Sequence, residues 1–65
     1  MEVQSRVIRY VKDVGIKQSF IAKKTGLSEN AVSNIFNGKR KMSADEFMKV
    51  CQAIGKTPND FMETA

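Results

Sequence analysis

Apolar residues recur along this chain at helical rather than alternating spacing. Val3, Val7, Tyr10 and Val14 fall at i, i+4, i+7 and i+11, one face of a helix over about residues 2–13. Ile8 and Val11 widen that stripe. A second helix is expected over about 18–25, with Phe20, Ile21 and Lys24 facing partly inward and Ala22 small enough to admit a close neighbour. Gly26 ends it in a left-handed turn and Leu27 plugs the turn. Ser28 then offers an N-cap for a third helix over about 29–36, anchored by Val32 and Ile35 and stopped by Asn37 and Gly38. Ser43 and Glu46 form a capping box for a fourth helix, along which Phe47, Val50, Cys51 and Ile54 keep helical spacing. Thr57 as N-cap and Pro58 at the first helical position predict a short fifth helix, from which Phe61 and Met62 pack back onto the core. No segment alternates with period two. The expected class is all-α, five short helices in a single domain spanning residues 1–65, without repeat or linker.

A chain of 65 residues buries only about 60% of its unfolded surface, so its core must be efficient. One cysteine excludes an intrachain disulfide, and the lack of histidine removes ordinary zinc-ligand spacings. Apolar runs fall far short of the ~20 residues that span a bilayer. Glu2, Arg6 and Arg9 break the N-terminal apolar residues, unlike a signal peptide. A cytoplasmic protein is expected. The net charge of +4 is unevenly spread: residues 1–16 carry +1, residues 17–41 carry +5 and residues 42–65 carry −2. The basic excess lies on the second and third helices and the loop after them, where a polyanion is the natural partner. Solvated lysines kept for solubility are the plainer alternative.

The outward face of the third helix adds chemistry to that charge. Ser28, Glu29, Asn30, Ser33, Asn34 and Asn37 are short polar residues, mediocre helix formers that few surface helices collect in such number. Asparagine pairs bidentately with adenine, and glutamate accepts from cytosine N4, each discriminating by about 1–3 kcal/mol.

Gln18, Ala22, Gly26, Leu27, Val32 and Ile35, followed by Asn37, Gly38, Lys39 and Arg40, resemble the helix-turn-helix of the lambda Cro/C1 repressor class, the XRE family. The likeness runs from about residue 5 to 62. It implies a lambda-repressor-like DNA-binding domain with its helix-turn-helix at about 18–37. It further implies that Glu29, Asn30 and Asn34 read bases, with Ser28 and Ser33 beside them. Lys17, Gln18, Asn37 and Lys39 would contact phosphate, with Arg40 and Lys41 adding less specific contacts, and Gln18 would brace Glu29. Three positions depart from the family pattern. Lys17 stands where a capping Thr or Ser is common, which leaves the second helix without a side-chain cap. Glu29 stands where Gln or Arg is common. Val11 and Phe36 stand where an ion pair is common, and an apolar contact between them is expected instead.

The leading reading is a sequence-specific, double-stranded-DNA-binding transcriptional regulator, a repressor of phage or prophage type. It would bind as a homodimer with half-sites about one turn (~34 Å) apart. An exposed apolar cluster of Met48 with Phe61 and Met62 of the fifth helix is the candidate seam. The plainer reading keeps Met42, Met48 and Met62 at the core edge, and Cys51 reads as a small buried core residue. A protein-interaction module, such as an antitoxin or anti-regulator on the same fold, is the alternative; an antitoxin ordinarily adds a neutralising segment, and little chain follows Phe61. An enzyme is the poorest reading: histidine, a Cys/His pair and a phosphate-cradling glycine loop are all missing. No catalytic residue, metal, cofactor, membrane or small-molecule ligand is expected.

Overall fold

The computed structural model describes residues 3–62. Four α-helices follow one another: α1 (Val3–Val14), α2 (Gln18–Thr25), α3 (Glu29–Phe36) and α4 (Ala44–Ala53). The expected fifth helix is a single 3₁₀ turn, Pro58–Phe61. Thr57 is its N-cap and Pro58 its first residue, as expected. The Thr57 backbone N–H and hydroxyl both donate to Asp60 Oδ2, at 2.8 and 3.1 Å. Asp60 thereby ties the turn to its own start, and that N–H is the main reason its carboxyl lies below the ordinary range. The expected start of α1 at Glu2 lies outside the described residues, and its end falls at Val14, one residue beyond expectation.

One core holds the helices together. Val7 and Val11 of α1, Ile21 and Ala22 of α2, and Val32, Ile35 and Phe36 of α3 are all buried, as are Val50 and Cys51 of α4. Val11 and Phe36 thus share one apolar core, as expected from their both being apolar. α2 packs on both α3 and α4, and Ala22 is small enough to allow that double approach.

Three inward expectations fail at the edges of this core. Val14 is 56% exposed although it repeats the angle of Val7; it is the last residue of α1. Ile16, beyond the turn, packs against the core instead. Phe20 is 43% exposed, because Ile21 and Ala22 take the inner face of α2. Lys24, four residues on, is exposed too and lays its ammonium 5.7 Å from the Phe20 ring centre, an i,i+4 cation–π pair.

Phe61 closes the molecule. It is only 5% exposed and sits edge-on to Tyr10 of α1 (5.7 Å between ring centres) and to Phe47 of α4 (6.3 Å). Arg6 Nη1 donates to its carbonyl at 3.3 Å. Phe61 is therefore a core residue and not part of a surface seam. Met62 turns outward, 48% exposed, as does Met48 at 49%, while Met42 packs against the core.

Candidate nucleic-acid interface

The α2–α3 turn is built by short local bonds. Thr25 Oγ1 donates to Ile21 O at 2.7 Å and accepts from Leu27 N–H at 3.3 Å. Gly26 sits at φ +79°, a conformation that side chains disfavour, and its N–H closes on Ala22 O. Leu27 is half-buried below the turn. Ser28 Oγ then accepts from Ala31 N–H at 3.0 Å and starts α3.

α3 has two unlike faces. Val32, Ile35 and Phe36 are buried. Ser28, Glu29 and Asn30 are exposed, and Ser33 and Asn34 are half-buried on the same outer side. Asn37 Nδ2 donates to Ser33 Oγ at 3.2 Å, so that hydroxyl keeps its proton for an outside acceptor. The residues expected to read bases thus share one outward helix surface. No hydrogen bond joins Gln18 to Glu29 among the described residues, so the expected brace is not formed in the free chain. Ser28 alone caps α3, and the Glu29 carboxylate adds favourable charge at the positive end of the helix.

Phosphate contact is expected from two exposed groups. Lys17 and Gln18 stand at the start of α2, where Lys17 holds an extended conformation and its side chain makes no cap. Lys39, Arg40 and Lys41 follow α3, with Asn37 before them. Gly38, at φ +77°, lets the chain double back; Lys39 N–H and Arg40 N–H both then reach Asn34 O, at 2.9 and 3.2 Å. Arg40 is committed differently from its neighbours, for its guanidinium pairs with the Glu46 carboxylate of α4. Glu46 Oε1 also accepts Ser43 N–H at 2.9 Å, completing the capping box. These two partners, Ser43 N–H first and Arg40 second, hold the Glu46 carboxyl below the usual range.

Sequence reasoning missed two residues that shape this region. One is Thr25, whose hydroxyl bonds are set by the turn. The other is Gln4, whose side-chain amide bonds Ile35, Arg40 and Met42 across the fold; nothing within reach of Gln4 in sequence points to such distant partners. The Arg40–Glu46 pair was more accessible, since opposite charges flank the capping serine.

Among the described residues, no helix is long and apolar enough to cross a membrane. A helix-turn-helix family model matches residues 7–61. No curated protein and no solved structure matches the chain significantly. The match covers most of the 65 residues, and the chain belongs to the Cro/C1-type helix-turn-helix (XRE) family, a family of DNA-binding regulators.

Proposed function

For a chain of this family, we propose a transcriptional repressor of phage or prophage type that acts in the cytoplasm and reads operator DNA with α3. The observation that carries the reading is the division of α3 into a buried apolar face and an outward face bearing Glu29, Asn30, Ser33 and Asn34. That outward face is flanked by positive charge: six basic residues stand against Glu29 alone between residues 17 and 41. In this reading Asn30 and Asn34 pair with adenine edges and Glu29 selects cytosine, with Ser28 and Ser33 beside them. Lys17, Gln18, Asn37, Lys39 and Lys41 grip phosphates and set the register. Arg40, paired with Glu46 but partly exposed, adds a less specific phosphate contact. The repressor works as a homodimer, one α3 per half-site, and Met48 and Met62 supply the exposed apolar surface for pairing.

The test is selection of binding sites from random duplex DNA, read by sequencing. Enrichment of inverted half-sites about one helical turn (~34 Å) apart is the expected result. Absence of enrichment at low salt would remove base reading and leave an interaction module on the same fold. Within the enriched site, Asn34→Ala is expected to relax preference at one base position per half-site. Lys39→Ala is expected to weaken all sequences alike and reduce the salt slope by about one.

A further inference from the structure

Gln4 stands in the first turn of α1, yet everything its side chain bonds lies 31 to 38 residues away. Its Nε2 donates to Ile35 O at 3.2 Å and to Arg40 O at 2.8 Å. Its Oε1 accepts from Met42 N–H at 2.9 Å. Only this orientation of the amide satisfies all three partners, because the reverse would set an oxygen against two carbonyls. The three partners bracket one segment: Ile35 is in the last turn of α3, Arg40 is in the middle of the basic loop and Met42 is at its exit.

The consequence falls on Lys39 and Lys41, the two lysines on either side of Arg40. With the backbone fixed at Arg40 and Met42, and with Lys39 N–H and Arg40 N–H held by Asn34 O, these lysines leave a set backbone in set directions. Arg40 is tied from the other side by Glu46. The loop is thus clamped from α1 and from α4. A loop ordered before its ligand arrives spares the ordering entropy that binding would otherwise lose.

We propose that Gln4 is a positioning residue of the DNA interface: it holds the basic loop in phosphate-contacting shape and thereby sets affinity for every duplex without choosing among bases. This rests on the DNA-binding reading above. It predicts that loss of the amide acts through Lys39 and Lys41, which gives it a signature separate from general loss of stability.

The experiment titrates labelled duplexes, the selected site and a scrambled one, over a range of KCl concentration. The proteins are wild type, Gln4→Met, Lys39→Ala and the double variant, with helicity checked at the assay temperature. Methionine nearly matches glutamine in shape and removes all three bonds without changing charge. Gln4→Met is expected to lose about three- to tenfold affinity for both duplexes and to lower the salt slope by about one. Most of that loss is expected to vanish in the Lys39→Ala background, since two changes acting on one contact do not add. A folded Gln4→Met with wild-type affinity and slope would overturn the proposal, as would additive losses or a loss confined to one base position. If Gln4→Met does not fold, Gln4→Asn, which keeps the amide on a shorter stem, carries the same comparisons; if neither folds, Gln4 is a structural residue and the proposal falls. Wild-type protein without salt-dependent binding would sink the DNA reading itself, whereas binding wild type matched by the variant sinks the clamp alone.

Discussion

Helix α4 starts on a serine whose hydroxyl and backbone N–H are both used by Glu46, while α2 starts on a lysine whose side chain makes no cap at all. The first start is closed by the chain's own groups. The second leaves its helix N-terminus, with its partial positive charge, beside Lys17 and Gln18. α3 stands between the two: Ser28 caps it, and its acid, Glu29, is exposed at the first helical position instead of folding back as Glu46 does. Glutamates in the first turns of neighbouring helices therefore have different duties. Glu46 builds a joint, and Glu29 is presented outward. A helix start that is energetically incomplete in the free protein is suited to an anion from outside, and on the proposed reading that anion is a DNA phosphate.

The contrast can be broken by giving α2 the start that α4 has. Lys17→Asp supplies a capping carboxylate, and thermal unfolding should show a gain of about 0.5–1 kcal/mol. DNA affinity in moderate salt should fall on the order of 30-fold, since a cation near phosphate becomes an anion. Retained affinity in the stabilised variant would mean that the start of α2 does not meet phosphate. Next in size is Glu29→Gln. Ser28 still caps α3, so stability should barely change, while site selection should lose a cytosine preference of about 1–3 kcal/mol. An unchanged selected site would return Glu29 to a role in helix electrostatics alone.

Changes at α4 should do the reverse. Ser43→Ala should cost about 1 kcal/mol in urea unfolding and leave the selected sequence unaltered. Glu46→Gln should give the smallest effect, about 0.5 kcal/mol at neutral pH, because its partner Arg40 is partly exposed. Its clearest trace is in acid. The folded state lowers the Glu46 carboxyl below its ordinary value, so this contribution is complete above the unfolded-state pKa and is lost as pH falls through the folded-state one. Asp60, lowered chiefly by Thr57 N–H, titrates in the same direction. Glu46→Gln should flatten part of the acid limb of the stability curve; an unchanged limb would assign acid sensitivity to other carboxylates.

Much of this arrangement was legible in sequence because its causes are local. The α2–α3 turn follows from Gly26 and Leu27, the start of α3 from Ser28, and the capping box from Ser43 and Glu46, each within a few residues. The polar face of α3 followed from periodicity. What escaped reading depends on contacts made far along the chain. Val14 has the right helical angle, but the core ends before it. Phe20 is apolar in a segment whose inner face was already filled by Ile21 and Ala22. Phe61 packs onto the core as expected, against Tyr10 and Phe47, whereas Met62, expected beside it, is exposed because the chain turns outward after the 3₁₀ turn. Gln4 is the extreme case, a polar side chain whose three partners are all supplied by the other end of the helix-turn-helix.

Cys51 adds a consequence of a different kind. It is buried in the core, and burial, with the charge of Asp60 second, pushes its thiol pKa up. The thiolate is the reactive form, so the folded protein shields its one sulfhydryl both sterically and electrostatically. An alkylating reagent should mark the molecule only when the core parts, which makes its labelling rate a chronometer of opening. A ligand that binds the folded state slows that chronometer in proportion to its occupancy, so the natural chain reports its own partner without a dye or a tag.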